Sequence, residues 1–132
     1  MSCMLRASGV SFDVDAFCRA TSLPVAARHH MGEPRRAGST YSRSSVSVDV
    51  SGADFSDLPR QVEDAIAFLE RHAEEVRRLV AFPGVEGAEL DFGVAWRDVA
   101  AQFDSFPCRL VSLAGALGLG LTISHYVISD PE

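Results

Sequence analysis

Between Leu58 and Trp96 the spacing of apolar residues changes from helical to extended. Leu58, Val62, Ile66, Leu69, Ala73, Val76 and Val80 recur every three or four positions, which predicts one long helix with a single apolar stripe. Ser56 or Asp57 can cap it, and Pro59 is tolerated in a first turn whose N–H groups lack helical partners. Leu90, Phe92, Val94 and Trp96 then alternate with Glu89, Asp91, Gly93 and Ala95, the period of a strand that buries one face. Residues 45–51 alternate in the same way, so Val46, Val48 and Val50 are expected inward and Ser45, Ser47, Asp49 and Ser51 outward.

The weaker segments complete the order. Residues 3–10 read as a first strand, and Asp13 or Asp15 can cap a short helix that buries Val14, Phe17 and Cys18 and ends near Thr21. A second strand is expected over 25–31, followed by an exposed loop of Gly, Pro, Arg and Ser over 32–42. Pro107 can open a third helix with Leu110, Leu113, Ala114 and Leu117 on its buried side, Gly118 supplies a left-handed exit, and residues 120–128 form the last strand. The resulting β-α-β-β-α-β-α-β order predicts a single α+β domain over 1–132. It is expected to be a ferredoxin-like split β-α-β sheet, largely antiparallel, with an appended C-terminal helix and strand.

Composition narrows the function classes. A hydrophobic content of 47% suits a globular chain, and no apolar run approaches a membrane span. The first residues lack a charged segment followed by an apolar one, so a cleaved secretion signal is not expected. Cys3, Cys18 and Cys108 are odd in number and widely spaced, which predicts free thiols in a reducing cytoplasm. The net charge of −6 opposes binding to nucleic acid or an anionic membrane and favours, if anything, a basic protein partner. The sequence holds no G-x-x-x-x-G-K-[ST], H-E-x-x-H or G-x-S-x-G. No catalytic residue, metal ligand set or cofactor is expected.

Two groups of residues are candidates for binding. Arg28, Arg35, Arg36 and Arg43 surround a loop in which Glu33 is the only carboxylate, and arginine forks can hold a carboxylate or phosphate bidentately. Glu89 and Asp91 fall on the outward face of their strand, where an uncovered sheet would display them to a partner and leave them solvated. His29, His30 and Glu33 are close in sequence, but adjacent histidines of a strand point to opposite faces. His125 shares a face with Leu121, Ile123 and Val127 and is expected to be a structural or edge-exposed histidine. Gly115, Gly118 and Gly120 end a helix and enter a strand, the reverse of a phosphate-binding loop.

Asp54-Phe-Ser-Asp-Leu, Phe82-Pro-Gly-Val-Glu, the run from Leu90 to Val99, Asp104-Ser-Phe-Pro and Leu113-Ala-Gly-Ala-Leu-Gly together resemble a family of small bacterial α+β proteins of unknown function. In size and acidity it is similar to immunity-type proteins that protect against toxins. The resemblance transfers no catalytic residue. It implies a non-enzymatic protein-binding module of the bacterial cytosol, immunity-like or regulatory, acting as a monomer or homodimer. The alternative is a binder of a small anionic ligand, or an enzyme, using the arginine loop.

Overall fold

The computed structural model describes residues 1–36 and 38–127. In chain order the elements are β1 (Cys3–Gly9), α1 (Val14–Ala20), β2 (Val25–His29), β3 (Ser44–Ser51), α2 (Leu58–Arg71), α3 (Ala73–Ala81), β4 (Gly87–Trp96), α4 (Cys108–Ala116) and β5 (Gly120–Val127). The five strands form one mixed sheet in the order β2-β3-β1-β4-β5. β1 is antiparallel to both β3 and β4, β2 is antiparallel to β3, and β5 runs parallel to β4. The four helices and the inward side chains of the strands share one core that includes Leu5, Val48, Phe17, Leu69, Val76, Phe92 and Leu110. The expected end of the last strand at Ile128 lies outside the described residues.

Helix ends follow from local chemistry. Asp13 caps α1 by accepting the Ala16 N–H at 3.0 Å, and Asp57 caps α2 by accepting the Arg60 N–H at 3.1 Å. At the end of α4 the Leu119 N–H reaches back to the Ala114 carbonyl at 2.9 Å, with Gly118 at φ +80°, the left-handed exit its sequence predicts.

Three expectations need correction. The long helix over 58–80 is two helices, because His72 leaves helical geometry at φ −113°, ψ 21°. A break of one residue leaves the seven-residue step from Leu69 to Val76 intact, so periodicity does not reveal it. In β3 Ser51, expected outward, is buried, while Val50 packs against the core only in part. Cys3 pairs with Ser51 while Met4 pairs with Asp49, so Val50 is the extra residue of a bulge and the side-chain parity reverses there. The buried Ser51 hydroxyl then donates to Asp64 Oδ2 at 2.7 Å and ties α2 to the sheet. The third concerns Trp96, which continues the inward alternation of β4 but, as the last residue of the strand, is 58% exposed.

Glycine is required where backbones touch. A Cβ on Gly84, whose φ is +89°, would lie 2.2 Å from the Ser11 carbonyl oxygen, and one on Gly9 would lie 1.8 Å from the Gly84 oxygen. This contact joins the end of β1, the entry to α1 and the turn before β4.

Candidate functional site

The arginine segment is a hairpin rather than an open loop. Three main-chain bonds cross it: the Gly32 N–H donates to the Tyr41 carbonyl at 2.8 Å, the Tyr41 N–H to the Glu33 carbonyl at 2.9 Å, and the Arg35 N–H to the Ser39 carbonyl at 2.8 Å. Its four arginines are distributed. Arg28 donates to Asp15 of α1 at 3.0 Å and Arg43 to Glu86 at 3.1 Å, so each is already neutralised by a carboxylate. Arg35 lies over the Tyr41 ring at 4.9 Å, and Arg35 and Arg36 stay exposed at the tip.

The histidines of this segment separate as strand geometry requires. His29 stacks on Tyr41 with ring centres 4.2 Å apart. His30 meets Glu33 through Nδ1 and Asp15 through Nε2, the latter at 2.8 Å, so the two carboxylates sit on different ring nitrogens. The hydrogen bond to Asp15, with that to Glu33 behind it, holds the His30 imidazole above its ordinary pKa. The bond to His30, aided by the charges of His30, Arg28 and Arg19, holds the Asp15 carboxyl below the usual carboxylate value. Among the described residues no three His, Cys, Asp or Glu side chains converge as metal ligands.

Glu89 and Asp91 do lie on the uncovered sheet face, but Asp91 is not displayed. Its side chain is 5% exposed, covered by Arg6 of β1 and by the Ser124 hydroxyl of β5, which donates at 2.7 Å. Glu89 accepts from Thr122. The expectation of two solvated carboxylates fails for Asp91 because long and hydroxylated neighbours on both adjoining strands fold over it. Beneath it, burial pushes the Cys3 thiol up to about 12, with the charges of Asp91 and Asp64 adding to the effect, so Cys3 is a poor nucleophile.

The feature the sequence did not single out lies at the far end of β4. There an open cleft of about 750 Å³ is bounded by the 55–59 segment, the end of β4 and the 97–105 segment. Phe55 sits against Gly93, where a Cβ would be 2.6 Å from the ring, and its carbonyl accepts the Ala95 N–H at 2.9 Å. Gln61, fully buried in α2, donates to the Gly93 carbonyl at 2.8 Å and to the Asp54 carbonyl at 3.3 Å, fixing this wall. On the opposite wall Gln102 imitates a neighbouring strand. Its amide donates to the Ala95 carbonyl at 2.9 Å while its oxygen accepts the Arg97 N–H at 3.0 Å.

With both walls braced, large apolar side chains stand in solvent. Phe103 is 87% exposed, and Trp96 shares the cleft with it and with Phe55. The Phe55 ring meets Tyr126 with centres 5.0 Å apart, and Val127, opposite Trp96 in the ladder, is 83% exposed. Asp98 and Asp104 against Arg97 give the lining an excess of negative charge. His125 is exposed, with its ring 5.7 Å from that of Trp96. The one signal for this site in the sequence is Phe103, an aromatic residue in a polar segment with no periodic partner. No helix among the described residues is long and apolar enough to cross a membrane. No family model, curated protein or solved structure matches the chain.

Proposed function

We propose that this chain is a non-enzymatic protein-binding module, immunity-like or regulatory, and that it grips its partner with the cleft at the end of β4. The observation that carries this reading is the group of exposed aromatic side chains Phe55, Trp96 and Phe103 lining one braced depression, with Tyr126 against Phe55 at its side. Exposed tryptophan, tyrosine and phenylalanine gathered in one place are the composition of a binding hot spot, where rigid apolar area is desolvated at little entropic cost. The acidic lining and the net charge of −6 select a partner that presents an apolar anchor among basic residues. The strand order β4-β1-β3-β2 with antiparallel neighbours supports a ferredoxin-like split unit to which α4 and β5 are appended. Three free cysteines support residence in a reducing cytoplasm.

The test is co-purification from native lysate with wild type, the Trp96→Ala, Phe103→Ala double variant and the Arg35→Ala, Arg36→Ala double variant. A protein retained by wild type and by the arginine variant but lost with the aromatic variant supports the reading. Retention unaffected by the aromatic changes overturns it, as does a bound phosphorylated metabolite lost only with the arginine variant.

A further inference from the structure

The sheet has two edges, and they differ in their protection. β2 is short, and its register slips at Ala26, where Val25 faces Val48 but Ala27 faces Ser47. A short, bulged edge resists pairing. β5 is the longer edge, has an unbroken register with β4 over all its residues, and contains no charge and no proline. Among the described residues no charge, proline or bulge blocks it.

The direction of its main chain follows from its neighbour. Gly93 donates its N–H to Ser2 and Ala95 to Phe55, both away from β5. Alternation therefore turns Phe92 and Val94 toward β5, and in a parallel ladder their bonds go to residues 122, 124 and 126. The N–H and C=O groups of Leu121, Ile123, His125 and Val127 are left pointing outward.

The geometry points to a homodimer in which β5 pairs antiparallel with β5 of a second copy about a two-fold axis at Ser124. This register sets Leu121 opposite Val127 and Ile123 opposite His125, so every outward residue of one strand meets an outward residue of the other and the whole row is used. A second copy fits for two reasons. An acidic chain of net charge −6 repels its own kind except where its surface is neutral, and β5 is uncharged. The helix layer above the edge is neutral too: Arg109 lies on the flank of α4 that reaches Glu70 of α2, while Val111 and Gly115 lie roughly opposite and face away from α2. The contact uses main chain along β5 and needs neither Trp96 nor Phe103, so its failure would leave the binding reading above untouched.

Ser124 meets its own copy as a non-hydrogen-bonded pair, at a Cα separation of about 4.5 Å that a disulfide can span. Thr122 instead faces Tyr126. The experiment measures mass by light scattering across a dilution series, with His125→Pro as the edge-blocking variant, since its N–H points outward and its loss leaves the β4 ladder intact. Oxidative crosslinking of Ser124→Cys and Thr122→Cys is compared in a Cys18→Ser, Cys108→Ser background. Wild type is expected near twice 14.2 kDa, His125→Pro at the single-chain mass with an unchanged circular dichroism spectrum, and only Ser124→Cys as a covalent dimer. A single-chain mass at every concentration overturns the proposal, as does a dimer that survives in folded His125→Pro. Should His125→Pro not fold, equal crosslinking of the two cysteine variants overturns it alone.

Discussion

Replacing Asp91 with alanine removes a side chain that links β1, β4 and β5 across the uncovered face. Asp91 accepts from Arg6 and from the Ser124 hydroxyl, and charge-assisted bonds of this kind contribute about 1.5–3 kcal/mol each when both partners are buried. Arg6 is 44% exposed, so its share falls to about 1 kcal/mol because the released guanidinium regains water. The removed carboxylate also no longer bears the cost of its own burial, which offsets part of the loss. The expected net destabilisation is about 2–3 kcal/mol, or roughly 3–5 °C in Tm for each kcal/mol in a chain of this length. Asp91→Asn keeps one acceptor for Ser124 and is expected to lose about half as much. Urea unfolding of both variants, with Ser124→Ala and Asp91→Ala combined in a double-mutant cycle, measures the values and the coupling. A change below about 0.5 kcal/mol for Asp91→Ala, or no coupling to Ser124, refutes the reasoning.

Two further outcomes follow from the glycine contact and the histidine cluster. Gly84→Ala combines a left-handed backbone with a Cβ 2.2 Å from the Ser11 oxygen, whereas Gly32→Ala at φ +91° meets open space. Chemical denaturation should show about 1 kcal/mol lost at Gly32 and about 3 kcal/mol or more at Gly84, and equal losses would refute the contact. His30, raised in the fold, contributes stability that is complete below the ordinary imidazole value and lost as pH rises through its folded value. Asp15, lowered, contributes above the ordinary carboxylate value and loses it as pH falls through its own. Tm should therefore decline from slightly acid toward alkaline pH in wild type and less so in His30→Ala, and parallel profiles would refute the role of this cluster.

Legibility in the sequence followed the physics of each segment. The alternation of residues 45–51 and 89–96 located β3 and β4, because successive side chains of a strand point to opposite faces and write a period of two. The same alternation misplaced Ser51, since one bulged residue reverses every side chain beyond it and leaves no mark in composition. Capping was readable to one of two nearby residues, Asp13 or Asp15 and Ser56 or Asp57, because it is local, and the exit at Gly118 was readable for the same reason. The parallel pairing of β5 with β4, and hence the mixed sheet, depends on the path of the chain through α4 and is set by tertiary packing. The candidate cleft was hidden for a similar reason. Gln61 and Gln102 look like ordinary polar residues, yet both act on the main chain of β4 from segments distant in sequence or without regular structure. The arginines were correctly seen as a charged segment, but their ion pairs with Asp15 and Glu86 join residues that only folding brings together.

The central place of β1 governs when this chain can acquire its shape during synthesis. Its residues pair on one side with β3 and on the other with β4, and the Arg6–Asp91 link alone spans 85 positions. Until β4 has left the ribosome, the first strand of the nascent chain has an unfilled side and the core lacks Leu90 and Phe92. Late closure of so distant a pairing makes folding slow relative to a local helical bundle and leaves the early segments in need of protection from aggregation.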